Sequence, residues 1–129
     1  MTVSSDRILV IDDDADALQL YKIILEKLGY TCTVAGNEPA AMEAYSLSLT
    51  NNAPFSVVIL DLSIPGSANS SEIANNLRLL NSDIKIIAAS GNGYADEIVN
   101  YKAHNFNYAM EKTFSSEKLE CAIQKCFNE

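Results

Sequence analysis

Four short apolar runs in this chain each stop at a reactive polar side chain. Residues 8–11 end at Asp12 and Asp13, residues 57–60 at Asp61, residues 84–89 at Ser90, and residues 108–110 at Lys112. Between the runs, apolar residues fall at helical spacing, so few architectures are open to the chain. A strand covered on both faces reads as a continuous apolar run. An open parallel sheet then delivers every strand's carboxyl end to one edge, where such sheets place their sites. Carboxylates, a hydroxyl and an ammonium are expected to share one pocket there.

The alternation runs the whole length, with no repeat or low-complexity tract to divide it. Residues 7–11 read as a strand, and residues 15–28 carry Leu18, Tyr21, Leu25 and Leu28 at helical spacing before Gly29 as a stop. A second strand is expected at residues 30–35, and Asn37 or Glu38 with Pro39 opens a helix reaching residue 49. Residues 51–54 break it. Residues 55–60, the most apolar run, are the candidate central strand, and residues 70–80 carry helix-spaced Ile73, Leu77 and Leu80. Residues 84–89 and 108–110 supply two more strands, with a short helix at 94–102 between them. Residues 115–127 close the chain as a helix, with Leu119, Ala122, Ile123 and Cys126 on one face and Ser115 or Ser116 as cap. The result is (βα)5. Because parallel crossovers are right-handed, this predicts an α/β, doubly wound, flavodoxin-like sandwich with a five-stranded parallel sheet in the order 2-1-3-4-5.

A length of 129 residues fits one domain, 1–129, with residues 1–6 as a flexible tail. The formal charge of −8 repels nucleic acid and anionic membrane, so direct binding to either is not expected. Residues 8–11 are too short and too acid-flanked for a signal peptide, and no stretch approaches the ~20 apolar residues of a membrane helix. Cys32, Cys121 and Cys126 form an odd set without metal-ligand spacing; reduced, packed thiols in a cytoplasm are expected. His104, the sole histidine, reads as a surface residue ending a short helix.

Acids at positions 12, 13 and 14 complement the positive amino end of a helix. That explains one or two of them. Adjacent carboxylates brought beside Asp61 repel one another, and a hard divalent ion, Mg²⁺ or Mn²⁺, offsets the repulsion through oxygen ligands; spacing alone leaves both readings open. Asp61 closes a buried strand before a turn, as a cap would. Within the constellation it is also the best-placed nucleophile, since a carboxylate attacking phosphorus gives an acyl phosphate. Ser90 fits either a turn before Gly91 or a donor to a phosphoryl oxygen. Lys112 is either solvated or a point charge for the same oxygens.

In their order and spacing, residues 8–14, 57–66, 88–91 and 111–114 resemble the motifs of the receiver domain of two-component response regulators, over essentially the whole chain. The resemblance implies that Asp61 is the phosphoacceptor. It implies that Asp12, Asp13, Asp61 and the Ser63 backbone carbonyl hold Mg²⁺ (or Mn²⁺), that Ser90 is the switch hydroxyl, and that Lys112 is the charge partner of the phosphate. By the same resemblance the phosphoryl donor is a sensor histidine kinase or a phosphotransfer protein, in a phosphorelay. The output passes to a downstream effector or to a fused output domain outside this chain, and the domain is a phosphoacceptor rather than an enzyme. The surface around the fourth strand (residues 84–89), the 94–102 helix and the fifth strand would switch. Residues 94–102 and 108–110 are candidates for a homodimer face.

Departures from the family pattern keep a second reading, a receiver-fold interaction module with an impaired switch. Thr113 stands where proline is usual, and a cis bond there costs about 2.5–4 kcal/mol without proline, so a trans bond is expected. Ala109 stands where an aromatic residue is usual, and Tyr108 could replace it only through a bulge, because adjacent strand residues face opposite sides. Asn69 and Asn105 occupy glycine-like places. A haloacid-dehalogenase-type phosphatase expects an aspartate at position 63, where Ser63 stands. A flavodoxin expects a hydroxyl- and glycine-rich phosphate loop, where acids 12–14 would repel the phosphate.

Overall fold

The computed structural model describes residues 6–62, 70–91, 96–112 and 115–127. Five parallel strands, β1 (Arg7–Ile11), β2 (Thr31–Ala35), β3 (Val57–Asp61), β4 (Lys85–Ser90) and β5 (Tyr108–Glu111), form one sheet in the order β2-β1-β3-β4-β5. The most apolar run, β3, lies in the middle and is buried throughout. Helices α1 (Ala15–Lys27), α2 (Glu38–Thr50), α3 (Ser70–Leu80), α4 (Asp96–Val99) and α5 (Ser116–Phe127) connect or follow the strands. This is the doubly wound, flavodoxin-like arrangement expected from the alternation.

Strand alternation divides the core into two layers. Ile8, Val10, Val57, Ile59, Ile87 and Ala89 face Tyr21 and Leu25 of α1 and Leu119, Ala122, Ile123 and Cys126 of α5. Leu9, Ile11, Val58, Leu60, Ile86 and Ala88 face Ala41 and Tyr45 of α2 and Ile73, Ala74 and Leu77 of α3. Local chemistry sets the helix ends. Asp14 caps α1 by accepting from the backbone N–H groups of Asp16 and Ala17, and Asn37 caps α2 by accepting from Ala40, with Pro39 in the first turn. Gly29, at φ 98°, follows α1 in a conformation open to glycine.

The helix expected across residues 94–102 is interrupted. α4 ends at Val99, Asn100 leaves helical geometry at φ −114°, ψ 45°, and a 3₁₀ turn runs from Tyr101 to His104. β-branched Val99 and turn-forming Asn100 both weaken a helix interior. Asn105 then closes the turn in the left-handed conformation, φ 71°. An amide and guanidinium network anchors the start of β5. Asn107 Oδ1 accepts from Ile86 N and Arg78 Nη2, both at 2.8 Å, while Arg78 also donates to the carbonyls of Ile84 and Asn105.

Cys32 and Cys126 are buried, whereas Cys121 is exposed, contrary to the packing expected for all three. Cys121 precedes the inward Ala122 and Ile123 on α5 and turns to solvent. Among the described residues, no helix is long and apolar enough to cross a membrane.

Candidate functional site

Register brings the site together. Val10 pairs with Ile59 and Ile11 with Leu60, so one further step along both strands sets Asp12 beside Asp61. Each carboxylate continues a row on the α1/α5 face, Ile8-Val10-Asp12 and Val57-Ile59-Asp61, and both residues are nearly sealed from solvent, at 0% and 2% exposure. The Asp12 N–H still donates to Ala35 at 3.1 Å, which extends the β1–β2 ladder to the carboxylate. A third row, Tyr108-Met110-Lys112, lies on the same face of β5. Asp61 lies within β3 rather than just beyond it, because its backbone pairs with Ala89.

Lys112 crosses β4 to reach both acids. Its Nζ is 2.7 Å from Asp12 Oδ2 and 3.7 Å from Asp61 Oδ2. Ala89, fully buried on β4 between Asp61 and Met110, presents only a methyl group to this path. The Lys112 N–H donates to the Ser90 carbonyl at 2.8 Å, which fixes the lysine backbone at the end of β4. Burial alone would lower the lysine pKa. The hydrogen bond to Asp12 and the charges of Asp61, Asp12 and Asp14 outweigh burial and hold it above its ordinary value.

One oxygen from each of Asp12, Asp13 and Asp61 lies within 4.8 Å of the others. Three carboxylates against the Lys112 ammonium leave two excess negative charges, two of the acids being buried. A hard divalent cation fits that donor set in charge and in ligand chemistry, with water filling its remaining positions. The Asp12 carboxylate is oriented by the backbone of Asp14, whose N–H donates to Asp12 Oδ1 at 3.0 Å. Of the three consecutive acids, Asp14 is absorbed by the helix cap, while Asp12 and Asp13 turn to the pocket.

Of the residues named from sequence, Asp12, Asp13, Asp61 and Lys112 are gathered at one point. Asp13, on the alternate row of β1, reaches it from the exposed rim. Ser90 ends β4 at the same edge, half-buried, in register with Glu111. Ser63, Asn69 and the Lys112–Thr113 peptide lie outside the described residues. The β4–β5 register is continuous, Ile87 with Tyr108 and Ala88 with Ala109, so no bulge moves Tyr108 into the place of Ala109. Tyr108 instead packs toward α5, its ring 5.8 Å from that of Tyr101 and 5.5 Å from Lys125 Nζ. Sequence reasoning missed two contributors. Ala89 read as one residue of an apolar strand, and Tyr21 as one member of an apolar stripe; Ala89 pairs directly with Asp61, and Tyr21 lies in the same buried layer as Ala89.

Residues 8–124 match the family model described as the response regulator receiver domain. Transcription factor SKN7 of Saccharomyces cerevisiae is 25% identical over 116 residues, 90% of this chain, which spans 18% of that protein. Sporulation initiation phosphotransferase F of Bacillus subtilis is 26% identical over 121 residues, covering 94% of this chain and 93% of its own length. A response regulator receiver domain protein from Clostridium thermocellum has the same fold, with a TM-score of 0.81 at 24% identity, across 95% of this chain and 94% of that one. The response regulator TrrA of Thermotoga maritima, solved in complex with Mg(2+)-BeF, gives a TM-score of 0.75 at 26% identity, across 94% and 98%.

Proposed function

The chain belongs to the response regulator receiver domain family, and from that premise we propose that it is an Mg²⁺-dependent phosphoacceptor that receives a phosphoryl group on Asp61. Receiver domains are phosphoacceptors rather than classical enzymes, and they bind Mg²⁺ at an acidic pocket. The observation that carries the reading is the gathering of the Asp12, Asp13 and Asp61 oxygens within 4.8 Å, beside Lys112 Nζ.

In this reading Asp12, Asp13 and Asp61, with the Ser63 carbonyl, would hold Mg²⁺ (or Mn²⁺), which when bound would supply positive charge to the phosphoryl oxygens. Asp61 attacks the phosphorus of a phosphohistidine; a P–O bond forms as the P–N bond breaks, and the imidazole departs with the bond pair. Lys112 leaves its ion pair with the acids to neutralise an equatorial oxygen, and the Ser90 hydroxyl donates to another. The sheet fixes the nucleophile's backbone at a buried strand end, so the rearrangement that admits the phosphoryl group falls on Lys112 and the surrounding side chains.

Homologues in this family imply a histidine kinase or phosphotransfer protein as donor, together with an output domain or effector. The near full-length similarity to a phosphotransferase supports a relay role, and the partial similarity to a transcription factor supports a role within longer regulators. We place the activity in the cytoplasm and treat residues 1–129 as one domain, supported by the joining of every described strand in one sheet. A second reading, an interaction module with an impaired switch, is favoured by the unshifted Ala88–Ala109 pairing, which leaves no aromatic ring at that place.

Acetyl phosphate, a small donor, tests the proposal without the cognate kinase. Intact mass should show one added phosphoryl group in the presence of Mg²⁺ and none in its absence. Unchanged labelling in Asp61→Asn would overturn the assignment of the acceptor.

A further inference from the structure

Asp14 ties the acidic pocket to helix α1 through a single residue. Its N–H donates to Asp12 Oδ1 at 3.0 Å, and its own Oδ1 accepts from the N–H of Asp16 at 2.9 Å and of Ala17 at 3.4 Å. Two successive turns therefore each close on a carboxylate two residues earlier, and they share Asp14. The residue is extended, at φ −90° and ψ 111°, and its carbonyl accepts from Leu18 at 3.0 Å, the first bond of α1. Upstream, the Asp12 N–H is tied to the Ala35 carbonyl at the end of β2, at 3.1 Å. The backbone is thus held at Asp12 by the sheet and at Asp14 by the helix, with Asp13 suspended between the two anchors.

That suspension matters because Asp13 is the exposed member of the three acids whose oxygens lie within 4.8 Å of one another. A solvated carboxylate that ligates a cation gives up rotamer freedom. A backbone fixed on both sides narrows the directions it can take before the cation arrives, which lowers that cost. Asp12 is held more directly, the Asp14 N–H meeting one of its oxygens while Lys112 Nζ stands 2.7 Å from the other. Asp14 contributes its side-chain oxygen to this arrangement. Without the cap the first turn of α1 loses the acceptor for its free N–H groups, and the residue released is the one whose N–H orients Asp12. Asparagine or serine caps a helix as well as aspartate does, so the oxygen is what the turn requires and the charge is not.

We propose that Asp14 is a positioning residue for cation uptake, acting through its helix-capping oxygen: it anchors the turn that sets the Asp12 and Asp13 carboxylates against Asp61. The inference deepens the phosphoacceptor reading and rests on it, since that reading supplies the cation. Groups that orient metal-ligating carboxylates typically set affinity by about 10- to 100-fold, and Asp14 does so without contacting the cation or the phosphoryl group. By linkage the effect runs both ways, so a cation held by Asp12 and Asp13 tightens the first turn of α1.

Two neutral substitutions separate the cap from the charge. Asp14→Asn keeps a capping oxygen and Asp14→Ala does not, while both remove the same carboxylate charge. Mg²⁺ titrated into the full chain, followed by amide shifts in the ¹H–¹⁵N spectrum, should bind Asp14→Ala roughly ten-fold more weakly than Asp14→Asn. In the wild type, Mg²⁺ should slow hydrogen exchange at the amides of Asp14, Asp16 and Ala17. A cap that served stability alone would lower the unfolding midpoint of Asp14→Ala and leave the folded protein with the Mg²⁺ affinity of Asp14→Asn. Equal affinities would therefore overturn the positioning role, while Asp61 labelling of the wild type would stand. Should Asp14→Ala fail to fold, wild-type exchange decides the matter: no slowing at those three amides on Mg²⁺ addition would overturn the inference. A wild type that takes up no Mg²⁺ would overturn both readings.

Discussion

Lys112 Nζ sits 2.7 Å from Asp12 Oδ2, closer than the 3.7 Å that separates it from Asp61 Oδ2. The lysine thus neutralises chiefly the acid that is not the proposed nucleophile. In the proposed phosphoacceptor reading, Lys112 would exchange a carboxylate oxygen for a phosphoryl oxygen.

Removing the ammonium leaves Asp12 and Asp61 buried against each other. Lys112→Ala is expected to lower stability by about 1–2 kcal/mol in metal-free buffer, less than for a fully sealed pair because the lysine side chain keeps 24% exposure. Urea unfolding measures the loss, which should shrink as Mg²⁺ is added. An unchanged midpoint would show that the pair does not stabilise the pocket.

The same lysine sets an alkaline limit. Its folded pKa lies above the ordinary 10.5, so the stabilisation it supplies is complete below about pH 10.5 and is lost as pH rises through the higher folded value. Unfolding curves above pH 10 should show a steeper decline in the wild type than in Lys112→Met. Parallel declines would contradict this.

Ala89 keeps open the path across β4. Ala89→Leu should cost roughly 1–3 kcal/mol through overpacking and should also slow labelling by acetyl phosphate by pushing Lys112 off the acids. Ala88→Leu, on the opposite face, should destabilise without changing the labelling rate per folded molecule. Equal effects of the two on labelling would remove Ala89 from the account.

Much of this was legible in the sequence, and the exceptions have physical causes. Strand order and the gathering of Asp12, Asp13, Asp61 and Lys112 follow from apolar runs that end on polar groups, because a parallel sheet aligns its carboxyl ends. The break at Asn100 escaped the periodicity, since four residues of α4 are too few to show a helical period. Ala89 and Tyr21 escaped because an apolar pattern records that a position is buried and says nothing about which residues share its layer. Cys121 was misjudged because cysteine as a residue type is usually buried, although its helix-face neighbours Glu117, Lys118, Gln124 and Lys125 are all polar and put it on the water side of α5.

The thiols separate by burial. Cys121 should react with a disulfide reagent at pH 8 in the native protein, while Cys126, buried, and Cys32, whose pKa burial pushes up to about 11 against the pull of Lys22, should react only on unfolding. Three rapidly reacting thiols in the native state would contradict the packing of α5 and β2.

At the other end of the sheet, Asn107 Oδ1 accepts from both Ile86 N and Arg78 Nη2. Asn107→Ala is expected to cost about 2 kcal/mol in denaturant unfolding, since it strands a buried N–H and part of a guanidinium. Asn107→Asp, which keeps the acceptor, should cost less.

The site of phosphorylation tests the central claim most directly. After treatment with acetyl phosphate and Mg²⁺, an acyl phosphate can be trapped by borohydride reduction and located by peptide mass. The account predicts modification at Asp61, dependent on Mg²⁺ and abolished by chelation. Modification at another residue, or labelling indifferent to the metal, would contradict it.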